Sequence, residues 1–151
     1  MVRFRCVPFY DLTLDELYAM LRLRAEVFVV EQNCVYQDVD NKDQRSFHLL
    51  AFDQENDLIG YTRLVPKGTS YKEYPSIGRV LTSEKVRRNG SGKILMKKSI
   101  EEIQRLFGEK EIKISAQCYL DKFYRSLGFV PIGDEYLEDD IPHVAMIYSN
   151  K

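Results

Sequence analysis

Histidine and cysteine are scarce in this chain, at two and three of 151 residues. The histidines lie far apart and there is no Cys-x-x-Cys pair, so no metal site is expected. Cys6, Cys34 and Cys118 form an odd, widely spaced set. Such a set predicts free thiols and a reducing cytoplasm, not a disulfide framework. No apolar run of about 18 residues occurs, so a membrane span is not expected. The first residues lack the apolar stretch of a signal peptide. Acidic and basic side chains nearly balance, at a net charge of −1. That balance leaves no broad basic footprint for nucleic acid. Repeats, linkers and low-complexity tracts are also missing.

What is present fits one domain spanning residues 1–151, long enough to bury a core without staples. Residues 2–7 alternate apolar and polar, as a half-buried strand does. Thr13 and Glu16 have capping-box spacing and open a helix. Leu14, Leu17, Tyr18, Leu21, Ala25 and Phe28 recur at helical spacing and are expected to face the core. Residues 33–45 read as a polar loop with a short helix. Residues 46–52 and 58–65 read as a hairpin, and residues 75–81 as a strand. A long helix is expected over 93–107, with an apolar stripe of Ile94, Leu95, Ile100, Ile103, Leu106 and Phe107. Gly108 suits the position after its end. Residues 111–118 read as a strand and 121–127 as a short helix ended by Gly128. Residues 129–132 and 143–148 read as the last strands, with an acidic loop between them.

The chain's most informative segment is Arg87-Arg88-Asn89-Gly90-Ser91-Gly92, between the strand at 75–81 and the long helix. Glycines allow close backbone approach, and the free N–H groups of a helix's first turn favour an anion. Two arginines add charge, and together these features point to a bound pyrophosphate. A Walker A loop is excluded, because Gly92-Lys93 is followed by Ile94. A Rossmann fingerprint is excluded, because Leu95 stands where the third glycine belongs. What remains is Arg-x-x-Gly-x-Gly. A surface turn that merely caps a helix is the alternative reading of the hexapeptide alone.

This pattern resembles the acetyl-CoA pyrophosphate loop of the GNAT superfamily of N-acetyltransferases. Residues 117–129, with Phe123-Tyr124 and Gly128-Phe129, are similar to a second signature of that superfamily. Phe28-Val29-Val30-Glu31-Gln32, Ile77-Gly78-Arg79-Val80 and Ile141-Pro142-His143 are similar to its ElaA-like branch. The resemblance runs from about Leu14 to Met146. It implies an α/β fold of order β-α-α-β-β-β-α-β-α-β-β, with a mixed central sheet flanked by helices on both faces. It also implies transfer of acetyl from acetyl-CoA to a primary amine in a ternary complex. A non-catalytic acyl-CoA-binding or sensing module of the same fold is the alternative.

The same resemblance assigns roles. Arg87, Arg88, Asn89, Gly90, Ser91 and Gly92 would hold the pyrophosphate. Val80 and Leu81 would present backbone groups to pantetheine and the acyl oxygen, as preorganised donors do. Tyr124 would protonate the leaving thiolate, although it also reads as a core tyrosine on an amphipathic turn. The general base is open among Glu31, Asp38, Asp40, His48 and His143. His143 is the preferred candidate, because it opens the last strand and a histidine can take an amine proton directly or through water. Glu31 and Gln32 fall on the expected acceptor side and would bind substrate. Asp38, Asp40 and Asp43, with the acids of residues 134–140, would draw in a cationic amine if they face a cleft. An exposed sheet edge would allow a homodimer.

Overall fold

The computed structural model describes residues 2–149. Among the described residues seven strands and three α-helices follow the expected order, with a π-helical segment in the place of the second of the four expected helices. Four strands form an antiparallel sheet in the order β1-β2-β3-β4: β1 (Arg3–Pro8), β2 (Phe47–Phe52), β3 (Leu58–Val65) and β4 (Ser76–Thr82). The other three, β5 (Glu111–Gln117), β6 (Phe129–Glu138) and β7 (Ile141–Ser149), pair antiparallel in the order β5-β7-β6. The halves meet where Lys113 N–H donates to the carbonyl of Pro75 (3.0 Å). From there β4 and β5 run side by side and part toward their C-terminal ends.

Two helices cover opposite faces, and period-2 alternation in β2 shows why. Leu50 and Phe52 pack with Met20 and Leu23 of α1 (Leu14–Arg24). Leu49 and Ala51 pack with Leu95 of α2 (Ser91–Phe107). A second cluster joins Met96, Ile100 and Ile103 of α2 to Leu64, Ile77, Ile112, Ile114 and Met146. The one polar seam here is satisfied: Ser99 Oγ donates to the Leu95 carbonyl (2.8 Å) and lies 2.7 Å from Thr62 Oγ1. Gly108 ends α2 in the left-handed region, at φ 66°.

α1 begins as expected, with Thr13 Oγ1 accepting from Glu16 N–H and Glu16 Oε1 accepting from Thr13 N–H. Its buried stripe differs from the expected one. Leu14 and Tyr18 are 85% and 74% exposed. Leu17 and Leu21 do face the core as expected, but Met20, Leu23 and Arg24 share that face and Ala25 is exposed. Arg24 is fully buried because Asp38 and Asp43 take up its charge. A reading that kept charge out of the stripe therefore rotated it. Ile94 of α2 is likewise outside its stripe, at 54% exposed.

After α1 the chain does not turn away. It continues as a π-helical segment, Ala25–Glu31, closed by Cys34 N–H on the Val29 carbonyl (3.1 Å). The wider turn rotates Phe28 and Glu31 toward the gap between β4 and β5. The last two strands are also longer than expected. A two-residue turn at Asp139 and Asp140, both at positive φ (51° and 62°), joins them as a tight hairpin. The segment read as an acidic loop is thus mostly strand.

Candidate active site

Two interruptions of the strand ladders shape the site. Between Tyr61↔Leu81 and Arg63↔Gly78, β4 carries one residue more than β3, so Arg79 and Val80 lack register partners. Arg79 takes φ 49° there. Such a bulge bends its strand, and here β4 leaves β5. In β6, Ile132↔Ala145 is followed by Tyr136↔His143, with Gly133 at φ 72° between them. This second bulge sets Tyr136 across from His143.

The gap opened between β4 and β5 is a cavity of about 980 Å³. The π-helical segment, the start of α2, α3 (Asp121–Ser126) and the β6–β7 hairpin close around it. Glu31, Gln32, Val80, Leu81, Arg87, Gly92, Tyr124 and His143 all line it. Arg88, Asn89, Gly90 and Ser91 form the loop behind Gly92 and do not line the cavity.

The loop folds by local rules. Gly90 sits at φ 84°, where a side chain would strain the backbone. Asn89 Oδ1 accepts from Ser91 N–H (3.1 Å) and from the Ser91 hydroxyl. Ile94 N–H donates to the Gly90 carbonyl (3.2 Å). Among the described residues the N–H groups of Gly92 and Lys93 have no acceptor, and the Asn89 side chain reaches no further than Ser91. These two donors, at the positive end of a 17-residue helix, suit an anionic group. A Cβ on Gly92 would meet only the Phe123 ring, at 3.5 Å, so glycine there keeps the backbone open to the cavity.

Arg87 is already engaged. Its Nη1 lies 2.8 Å from Glu31 Oε2, while Nε and Nη2 donate to the Thr82 carbonyl (3.1 and 3.0 Å). The residue expected to meet phosphate and the one expected to meet substrate are thus one ion pair across the cavity mouth.

Tyr124 is 7% exposed and packs edge-on against Phe123 and Phe129. Burial, with a smaller push from Tyr119, drives its phenol up to about 12. The hydroxyl is therefore protonated at neutral pH, and it has no hydrogen-bond partner among the described residues. A donor left free on a residue that lines the cavity is ready for a ligand acceptor.

His143 is nearly buried and faces the same space. Its Nδ1 donates to the Ile141 carbonyl (2.7 Å), a group that only accepts. Nε2 is then the acceptor of the neutral ring, 3.5 Å from Glu138 Oε2. His48 has no such freedom: its two nitrogens bond Tyr61 Oη (2.6 Å) and the Asp43 carbonyl (2.8 Å) in the core.

The acids of residues 38–43 do not act as an amine trap. Asp38 binds Arg24 and Arg79 (both 2.8 Å), Asp40 binds Arg63 (2.8 Å) and Arg79 (3.2 Å), and Asp43 binds Arg24 (2.8 Å) and Arg63 (3.0 Å). Partial burial alone would raise the Asp40 carboxyl, but hydrogen bonds and charge from Arg63 outweigh it and hold it at about 2. Three arginines balance three aspartates and leave no net charge for a substrate. The regular Asp38, Asp40, Asp43 spacing was legible in the sequence; their partners, 14 to 41 residues away, were not. Elsewhere, Asp53, Glu55 and Asp57 form a group of acids with metal-ligand spacing, but Lys85 already bridges Asp53 (3.0 Å) and Asp57 (3.1 Å).

A bulged β4 splaying from β5, with an uncapped glycine-led helix at the gap, defines a class. A family model described as "Acetyltransferase (GNAT) domain" matches residues 15–149, and the chain belongs to that family. Its relatives place it in the ElaA-like branch. Protein ElaA of Escherichia coli is 38% identical over 148 residues, covering 97% of this chain and 95% of ElaA. A Synechocystis protein of the UPF0039 family is 41% identical over 140 residues, covering 93% of this chain and 90% of that protein. The crystal structure of Escherichia coli ElaA superposes with a TM-score of 0.91, at 37% identity, over 99% of this chain and all of that one. An acyl-CoA N-acyltransferase from Pseudomonas aeruginosa superposes with a TM-score of 0.92, at 40% identity and the same coverage.

Proposed function

We propose that the chain, as one domain over residues 1–151, is an N-acetyltransferase that moves acetyl from acetyl-CoA to a primary amine in a ternary complex. The observation that carries this reading is the free Tyr124 hydroxyl on the cavity that also receives the open N-terminus of α2. The Pseudomonas relative's description as an acyl-CoA N-acyltransferase supports it.

The residues present fit the coenzyme. Gly92 and Lys93 N–H groups would hold the pyrophosphate, with Arg88 adding charge nearby. Val80, freed from the β3 ladder by the bulge, and Leu81 would hold the thioester arm. The bound coenzyme supplies an activated acyl carbonyl. Tyr124 donates a proton to the departing sulfur, and its position in a dry wall keeps that proton in place until then. His143 Nε2 accepts the proton that the amine must lose before attack. Alignment of the two ligands along one cavity contributes the rest of the rate.

The test is acetyl-CoA turnover, followed by thiol release, against a panel of primary amines. Amine-dependent release is expected. Coenzyme binding with no release for any amine would instead make the chain a non-catalytic acyl-CoA-binding module.

A further inference from the structure

Four carboxylates line the cavity: Glu31, Asp40, Glu138 and Asp139. Glu31 is paired with Arg87, and Asp40 with Arg63 and Arg79. Among the described residues Glu138 has no lysine or arginine partner, and neither does Asp139. Glu138 is held by other means. The Ser115 hydroxyl on β5 donates to its Oε1 (3.2 Å) and also contacts the Tyr136 hydroxyl. Tyr136 in turn stacks on the His143 ring, with centroids 6.1 Å apart at 22°. Glu138 Oε2 faces His143 Nε2 at 3.5 Å. A fixed negative charge thus stands beside the one basic nitrogen the cavity offers, and β5, β6 and β7 each supply part of the support.

We propose that Glu138 is the residue that recognises the acceptor, as a protonated primary amine, and that it hands the ammonium to His143. This rests on the reading of the cavity as an acyl-transfer site. A carboxylate with a free lone pair attracts an ammonium and fixes it by a charge-assisted hydrogen bond. The adjacent Nε2 then takes one proton. The N–H bond breaks, its electron pair stays on the amine nitrogen, and His143 becomes the imidazolium beside Glu138. The amine is left neutral and nucleophilic where it was bound as a cation. The cavity's arginines are all neutralised by aspartate or glutamate, and Lys42, which donates to Ser70 Oγ (3.2 Å), stands against two unpaired carboxylates, Glu138 and Asp139, so the class selected is a cationic amine.

Glu138→Gln keeps the shape and the Ser115 contact and removes the charge. The probe is 1,4-diaminobutane titrated into the coenzyme-bound protein, with 1,4-butanediol as the uncharged control, followed by amide NMR shifts at residues 115 and 136–143. Wild type is expected to bind the diamine and not the diol. Glu138→Gln is expected to weaken diamine binding by about tenfold or more, the loss of one charge-assisted contact. In turnover, KM for the amine should rise by a similar factor, and kcat should fall as well, because the charge that holds the ammonium also stabilises the His143 imidazolium 3.5 Å away. Coenzyme affinity by calorimetry should be unchanged. Wild-type diamine affinity in Glu138→Gln, diol binding as tight as diamine binding, or no diamine binding by wild type would each overturn the proposal. Binding as expected without any acetyl transfer would overturn the enzyme reading and leave the ammonium site standing.

Discussion

Tyr124 and His143 show how burial and hydrogen bonding bring a donor and an acceptor to one cavity. The phenol, driven up to about 12 by its apolar wall, is a donor at neutral pH. The imidazole, with Nδ1 committed to the Ile141 carbonyl, offers Nε2 as acceptor. Tyr124→Phe removes one hydroxyl with no hydrogen-bond partner, so folding and coenzyme affinity should change little. Turnover should fall by roughly 10²-fold or more, seen in kcat by steady-state kinetics. Undiminished kcat in a folded Tyr124→Phe protein would make the tyrosine a core residue. Tyr124, Gly92 and Val80 were singled out through the family resemblance of the short motifs around them, and all three line the cavity. Glu138 was legible only as one of a group of acids expected to draw in a cationic amine if they faced a cleft. It looked like one acid among several in a loop, and only the β6 bulge and the tight hairpin bring it to His143.

Elements were legible where one physical rule dominates and shifted where two compete. The capping box marked the start of α1, and Gly108 marked the end of α2. The face of α1 was misread because Arg24 interrupts its apolar stripe, and only residues far along the chain neutralise it. The π-helical extension carries the same lesson, since its wider turn depends on closure by Cys34. Arg24→Ala should remove about 3–5 kcal/mol of stability, because Asp38 and Asp43 keep their charge with one partner fewer. A urea midpoint matching wild type would show that the pairs contribute nothing. At the head of α2, Gly92→Val would crowd the Phe123 ring and cover the open N–H groups. CoA affinity by calorimetry should drop at least about tenfold while the circular dichroism spectrum is retained. Unchanged affinity would remove the loop from the binding site.

At the scale of the whole molecule, the two sheets meet where β4 lies beside β5, and charged and buried titratable groups on both sides set the pH range of stability. The Asp40 carboxyl, at about 2 when folded against 3.8 unfolded, adds stability that is complete above 3.8 and is lost as pH falls toward 2. Asp43 and Glu16 are lowered too and act in the same direction. Tyr71 and Tyr124, raised by burial from 10.0 to about 12, add stability that is complete below 10 and is lost as pH rises toward 12. His48, lowered by burial, costs stability as pH falls below 6.5, and Cys6, raised by burial from 9.0 to about 11, does so as pH rises above 9.0. Thermal midpoints should therefore be flat from about 6.5 to 9 and fall outside that range. A midpoint unchanged from pH 7 to pH 3 would show that the aspartates are not held by their arginines. The Asp38, Asp40 and Asp43 network with Arg24, Arg63 and Arg79 also constrains inheritance. Arg24 spreads three nitrogens over two aspartates, a geometry that a single ammonium does not copy. Any one exchange strands a neighbour's charge in a site of low dielectric, and a second exchange elsewhere in the ring is needed to relieve it. The six positions are therefore closed to drift by single steps, and a lineage that alters one of them must alter a second.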